Sequence, residues 1–71
     1  MSMLKAIEVL AESDKSWEDA AQNAVNTAAK SVRGIKCIYL KNIEAAVESG
    51  RITKYRINAK ISFVLVGQDI S

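Results

Sequence analysis

The sequence predicts an α+β fold with the element order β-α-β-β, in which a three-stranded, mixed antiparallel sheet partly wraps around one helix. Apolar and polar residues alternate along residues 54–66, which is the period of a strand with one buried and one exposed face. Apolar residues recur every three or four positions along residues 17–33, which is the period of an amphipathic helix. Two further alternating segments, residues 3–11 and 35–47, supply the other strands.

The length of 71 residues predicts a single domain, residues 1–71, with a thin core. Domains of this size commonly gain stability from disulfides, metal ions or self-association. Cys37 is the only cysteine and the sequence has no histidine, which argues against an internal disulfide and a zinc-ligand cluster. Self-association into a homo-oligomer is therefore the expected source of additional stability.

The composition also bears on location and partners. Residues 1–6 contain no long apolar run of the kind found in signal peptides, and no segment approaches the ~20 apolar residues of a membrane span. We therefore expect a cytoplasmic protein without a membrane partner, and a lone thiol suits a reducing compartment. The net charge of +2, with scattered basic residues, gives no reason to expect nucleic acid as a partner.

The first strand is predicted at Met3–Ala11 and leads into a capped helix. Ser16 is placed to accept a hydrogen bond from a free backbone N–H of the first helical turn. Asp19 stands where a capping box has its acidic residue, and Glu18 adds to the negative charge at the positive helix end. The two faces of the strand are Ile7 and Val9 on one side, and Ala6, Glu8 and Leu10 on the other.

The helix is predicted from Trp17 to about Arg33, with Gly34 as its left-handed C-terminal stop. Lys30 and Arg33 suit the negative end of the helix. Its buried stripe consists largely of small side chains, which allow a close approach to a sheet. The predicted stripe is Trp17, Ala21, Ala24, Val25, Ala28 and Val32.

The second strand is predicted at Ile35–Val47, and Glu48–Arg51 is the turn of a β-hairpin that leads to the third strand. Strict alternation puts Ile38 and Leu40 on the side of the helix. It puts four other residues on the opposite side: Cys37, Tyr39, Lys41 and Ile43. Residues 67–71 are expected to form a short polar tail.

The long third strand, Lys54–Val66, is expected at the centre of the sheet. The crossover helix joins the first two strands in parallel, and the hairpin makes the third antiparallel to the second, so the predicted order is first, third, second. One helix covers one face and leaves the other open as an oligomer interface and a ligand-binding wall. The residues predicted on that uncovered face are Ala6, Leu10, Cys37, Tyr39, Ile43, Arg56 and Lys60.

Two segments carry a resemblance to a known family. Ser16–Ala21 reads Ser-Trp-Glu-Asp-Ala-Ala, and Ile52–Ile57 reads Ile-Thr-Lys-Tyr-Arg-Ile. Together with the length and element order, they resemble the dodecins, from residue 3 to residue 65. The resemblance implies a small-molecule binding and storage protein that forms a hollow homo-dodecamer. It also implies a pocket between subunits in which two flavins (riboflavin, FMN or FAD) stack between symmetry-related tryptophans, with a glutamine bonded to the isoalloxazine edge.

The two family residues that hold flavin are replaced in this sequence. Cys37 stands at the position of the stacking tryptophan, and Arg56 stands at the position of the glutamine. These are therefore the predicted cofactor-binding positions. We expect weak flavin binding, because a stacked ring contributes about 1–3 kcal/mol and a thiol offers it little surface. Arg56 compensates in part, since a guanidinium group stacks on rings and donates to carbonyls.

The Ser-Trp-Glu-Asp segment also resembles a dodecin subgroup that is described as calcium-binding and not flavin-binding. The alternative function is therefore a structural or calcium-binding shell without flavin, whose metal ligands the sequence does not identify. One acidic cluster lacks both EF-hand spacing and a glycine at the turn: Glu12, Asp14, Glu18 and Asp19. We interpret it as a solvated loop beside a capped helix, with a metal site as the competing interpretation.

Three further side chains have both a functional and a structural interpretation. Arg56 and Lys60, four residues apart on one strand face, either hold an anion or pair with Glu8. Trp17 is either a ligand platform or, as we favour, a residue that packs at the edge of the sheet or against a neighbouring subunit. The sequence contains no nucleophile–base pair and no glycine-rich phosphate loop, so we expect a binding protein rather than an enzyme.

Overall fold

The computed structural model describes residues 3–65 and confirms the predicted α+β fold. Its elements are β1 (Met3–Ser13), α1 (Trp17–Ala28), β2 (Ile35–Glu48) and β3 (Arg51–Leu65). β3 is the central strand and runs antiparallel to both neighbours, so the sheet order is β1-β3-β2, as predicted. Val66, the predicted end of the third strand, and the predicted polar tail at residues 67–71 lie outside the described residues.

The core lies between α1 and one face of the sheet. The alternation along β3 puts Ile57, Ala59, Ile61 and Phe63 on this face, and all four are buried, as predicted. The helix contributes three buried side chains at four-residue spacing: Ala20, Ala24 and Ala28. Since these are methyl groups, the helix lies close to the sheet and the core stays thin.

The buried stripe of α1 differs in part from the predicted one. Ala24 and Ala28 are buried as expected, but Ala20, which is absent from the predicted stripe, is fully buried. Trp17 and Ala21 pack against the core and stay only partly buried. The predicted stripe was counted from Trp17 and passes through Ala21, which is one position away from the buried Ala20.

The helix ends at Ala28, and the predicted end near Arg33 is wrong. The N–H groups of Lys30 and Ser31 donate to the carbonyls of Thr27 and Ala28 at 3.1 and 2.9 Å. These tight turns satisfy carbonyl groups that the end of a helix leaves free, so the chain turns before the helical pattern of the sequence runs out. No helix in the described part of the chain is long and apolar enough to cross a membrane.

Gly34 has the left-handed conformation expected from the sequence, with a φ of 73°, but it does not end the helix. It lies just before β2, where its carbonyl accepts a hydrogen bond of 3.0 Å from the N–H of Val64. A Cβ atom at Gly34 would stand 3.2 Å from the carbonyl oxygen of Val64. The glycine therefore serves the close approach of the chain to β3.

The connection between β2 and β3 confirms the predicted turn. Glu48 lies opposite Arg51, and Ser49 and Gly50 between them have φ values of 52° and 75°. Two consecutive positive φ angles are the geometry of the type I′ turn, whose twist matches that of a hairpin.

A bulge in β2 overturns part of the predicted face assignment. The register shifts between Leu40 and Asn42, so that Ile43 lies opposite Ile57 on the side of α1 and not beside Cys37 on the other side. A bulge adds a residue to one strand and reverses the parity of every residue after it. Counting alternate positions along a sequence does not detect such an insertion.

Candidate functional site

The sheet face opposite α1 is not covered by any other element of the described chain and is named here the open face. Residues directly opposite one another form rows of three across β1, β3 and β2. The rows, each named by its central residue, are Glu12, Arg56 and Glu44; Leu10, Asn58 and Asn42; Glu8, Lys60 and Tyr39; and Ala6, Ser62 and Cys37.

Arg56 lies between two carboxylates. Its Nε donates to Oε2 of Glu12 at 2.8 Å, and its Nη1 donates to Oε2 of Glu44 at 3.4 Å. The hydrogen bonds to Glu12 and then to Glu44 are the main causes that raise the pKa of Arg56. Pairing with Glu8, one of the two alternatives for Arg56 and Lys60, does not hold for Arg56, because Glu8 pairs with Lys41 at 3.1 Å. Lys60 does lie directly opposite Glu8. The Arg56 row ties three strands together through exposed ion pairs, which contribute little to stability because water and salt screen them.

The Glu8 carboxylate is held by charges from β2 and β3. The hydrogen bond and the charge of Lys41 lower the pKa of Glu8, with smaller contributions from the Asn58 amide and from Lys60, which lies opposite it. Because the pKa is lowered on folding, the pair adds stability above the unfolded pKa and loses it as the pH falls through the lowered value. Both side chains of the pair are partly exposed, so this contribution is small.

Cys37 lies on the open face, as predicted, in the row that contains Ser62, but it is exposed where a half-buried residue was expected. Arg56 lies further along β3, about 20 Å from Ser62 at ~3.3 Å per residue. The structure therefore places both predicted cofactor positions on the same face, but one chain does not bring them together. A ring that contacts both side chains must receive them from different chains.

A cavity of about 820 Å³ opens over the Arg56 row and the Asn58 row. Both carboxylates of the Arg56 row line it, together with Leu10 and the amides of Asn42 and Asn58. Within residues 3–65, Oδ1 of Asn58 is a buried polar atom without a hydrogen-bond partner. The cavity therefore combines fixed charges with an acceptor that no donor of the described residues satisfies.

Sequence reasoning missed the partners of Arg56 and both asparagines of this cavity. Asn58 could have been predicted from the sequence, because it lies two residues after Arg56 on the same strand and therefore on the same face. Glu44 and Asn42 were hidden by the bulge, which shifts their register against β3.

The start of α1 confirms the predicted cap. Oγ of Ser16 accepts from the N–H of Asp19 at 3.0 Å, and Oγ of the buried Ser13 donates to Oδ2 of Asp19 at 2.7 Å. Asp19 therefore serves the cap, while Glu12 of the same acidic cluster pairs with Arg56. In residues 3–65 no group of three or more histidine, cysteine, aspartate or glutamate side chains is arranged to hold a metal ion.

Trp17 packs on the α1 side of the sheet, in agreement with the packing interpretation. Its Nε1 donates to the carbonyl oxygen of Glu44 at 2.9 Å. Its ring meets Tyr55 edge to face, with centroids 4.9 Å apart and planes at 79°. The indole thus fastens the start of the helix to β2 and β3.

The family model of the dodecins matches residues 3–66, which is nearly the whole chain. The chain belongs to the dodecin family. Calcium dodecin from Mycobacterium tuberculosis (strain ATCC 25618 / H37Rv) is 42% identical over 64 residues, which make up 89% of each protein. A crystal structure of that calcium dodecin, described as having a novel calcium-binding site, aligns with a TM-score of 0.75 at 39% identity, over 86% of this chain and 87% of its own.

Other solved dodecins share the fold at lower identity. A variant of the Thermus thermophilus dodecin aligns with a TM-score of 0.86 at 23% identity, over 92% of this chain and 97% of its own. The dodecin of Streptomyces coelicolor aligns with a TM-score of 0.84 at 22% identity, over 90% of this chain and 91% of its own. The backbone of the dodecin fold is thus retained in a chain whose side chains differ widely from theirs.

Proposed function

We propose that this dodecin forms a closed homo-dodecamer that binds and stores a small molecule between its subunits. The observation that carries the proposal is the uncovered open face, with a cavity of about 820 Å³ among charged and amide side chains. In the isolated chain, Leu10 and Tyr39 on this face are 80% and 64% exposed. This exposed apolar surface supports the proposal, because self-association removes it from water.

Flavin is the proposed ligand, with Cys37 and Arg56 as its contacting residues. These positions lie about 20 Å apart in one chain at ~3.3 Å per residue, so a pocket that uses both is shared between subunits. They fit flavin only in part. Cys37 is exposed but offers a thiol where a ring would stack, and the guanidinium of Arg56 is engaged by two carboxylates. We therefore expect riboflavin, FMN and FAD to bind more weakly than in dodecins with the stacking tryptophan.

The assembly is tested by the mass of the purified protein. We expect light scattering at micromolar concentration to give twelve times the chain mass of 7.8 kDa. The physical reason is a thin core on one side of a sheet whose other side remains exposed. A stable monomer at that concentration would contradict the proposed shell. A yellow colour of the purified oligomer would show that flavin from the cell occupies it.

A second candidate is a calcium-binding shell without flavin, which the 42% identity to calcium dodecin favours. Calcium prefers carboxylate and carbonyl oxygens, and Glu12 and Glu44 offer such oxygens on the open face. In the isolated chain Arg56 holds both carboxylates, so an ion at this row has to displace the arginine.

Calorimetric titration with calcium chloride tests the second candidate, with magnesium chloride as the control. We expect saturable calcium binding, and tighter binding in Arg56→Gln, because this variant removes a competing positive charge and frees Glu12 and Glu44. Lys30→Gln, which removes a positive charge beyond the end of α1, is the matched control and should leave calcium binding unchanged. If neither the natural protein nor Arg56→Gln takes up calcium, this candidate is rejected.

A further inference from the structure

We infer that Asn58 selects the ligand of the open-face cavity, and that this ligand is an uncharged planar heterocycle that donates an N–H group. This role rests on the proposed function, because it concerns the ligand of the same face. Two features of the cavity point to it: an amide oxygen that lacks a donor among residues 3–65, and a wall that carries more negative than positive charge.

Asn58 is the central residue of its row, between Leu10 on β1 and Asn42 on β2. Its Oδ1 is buried and, within residues 3–65, has no hydrogen-bond partner. Native proteins pair nearly all their buried polar atoms, so a buried acceptor without a donor needs a specific explanation. Since Asn58 also lines the cavity, a ligand N–H group is a donor of the required kind.

In the proposed role, a ligand displaces Leu10, the neighbour of Asn58 on β1, to reach this oxygen. Leu10 lies directly opposite Asn58 and is 80% exposed in the single chain, so its own subunit holds it through few contacts. After displacement, its apolar surface can cover a ring. In the neighbouring row, Arg56 is held by Glu12 and Glu44 on two sides, which leaves its planar group in a fixed position for stacking.

The charges on the cavity wall disfavour a phosphorylated ligand. Glu12 and Glu44 carry two negative charges against the single positive charge of Arg56, and the other residues of the wall are uncharged. The guanidinium is already paired with both carboxylates, so it is not free to neutralise a phosphate. A phosphate here meets like charges, whereas a neutral ring does not, and this difference gives the selectivity.

Riboflavin and FMN are suitable probes because they share the same ring system and differ by one phosphate. We would titrate the assembled full-length protein with each and follow the quenching of flavin fluorescence. Riboflavin is expected to bind about tenfold more tightly than FMN, and Asn58→Leu is expected to weaken riboflavin by about tenfold, the effect of one well-placed hydrogen bond. Glu44→Gln should narrow the gap between riboflavin and FMN. Asn26→Leu, the same substitution on the exposed side of α1, is the matched control and should change neither affinity.

Each outcome bears on the role of Asn58. Equal riboflavin affinity in the natural protein and in Asn58→Leu overturns it and leaves the proposed function standing, and tighter binding of FMN than of riboflavin overturns the charge selectivity. Absence of flavin binding in both the natural protein and Cys37→Trp overturns the role of Asn58 together with the flavin proposal. If Asn58→Leu fails to assemble by light scattering, Asn58→Ala decides: it removes the acceptor oxygen without adding bulk or charge, and riboflavin affinity equal to that of the natural protein in the assembled variant overturns the role.

Discussion

Cys37→Trp is expected to strengthen flavin binding by about ten- to a hundredfold, since one stacked ring contributes about 1–3 kcal/mol. Cys37 is exposed on the open face, so an indole at this position enters the proposed pocket without disturbing the core. In a homo-oligomer the change occurs in every subunit at once, and symmetry-related rings therefore return together. A thiol has little surface for a tricyclic ring, whereas an indole offers a broad polarizable plane.

Quenching of riboflavin fluorescence on titration measures this effect. Lys30→Trp, which adds a tryptophan at an exposed position beyond α1, is the control for nonspecific stacking and should leave the affinity unchanged. Glu12 and Glu44 engage the donors of Arg56, whereas a glutamine at this position can bond the edge of a ring. Cys37→Trp combined with Arg56→Gln should therefore bind more tightly than either single variant. The pocket is misplaced if the natural protein already quenches riboflavin at submicromolar concentration, or if Cys37→Trp leaves binding unchanged.

The alternation of apolar and polar residues along the strands was enough to predict most of the fold. On β3 every second residue from Ile57 to Phe63 is apolar, and the structure buries this set while it leaves Arg56 on the open face. The central position of β3 followed from its length, because a long strand can pair with a neighbour on each side. These features depend on the period of the chain and on short connections, both of which are visible in one sequence.

The features that sequence reasoning missed depend on contacts between distant residues. The bulge near Lys41 moves Ile43 to the other face, and the tight turns after Ala28 shorten the helix. Neither event leaves a clear local mark, since Lys41 is an ordinary strand residue and no glycine follows Ala28 directly. Such departures are decided by how the strands pair, which the chain specifies only as a whole.

The site shows the same division. The alternation of residues along the sequence placed Cys37 and Arg56 on one face of the sheet. The strand register of the structure shows that they lie in separate rows of that face. The partners of Arg56 come from two other strands, Glu12 from β1 and Glu44 from β2. A pairing across three strands requires two registers at once, and for this reason the spacing on a single strand offered only Glu8, as one of two alternatives for Arg56.

Gly34→Val is expected to destabilise the protein strongly, through backbone strain and through crowding. At a φ of 73° a β-branched residue is strained at a cost of about 1–3 kcal/mol. The new Cβ atom would also stand 3.2 Å from the carbonyl oxygen of Val64, which is closer than an ordinary contact. Gly34 cannot move away freely, because its own carbonyl accepts the hydrogen bond from the N–H of Val64.

Gly50→Val separates the two causes, because Gly50 has nearly the same φ, 75°, and nothing within 4 Å of its Cβ position. Both variants therefore carry the backbone strain, and only Gly34→Val adds the crowding, for which overpacking costs of about 1–3 kcal/mol are typical. Thermal unfolding at one fixed protein concentration measures the difference, since association shifts the melting temperature of an oligomer. We expect the melting temperature to fall in both variants and to fall further in Gly34→Val. Equal losses would show that the chain relaxes around Val64, and an unchanged melting temperature in Gly34→Val would show that this close approach of the chain to β3 does not constrain residue 34.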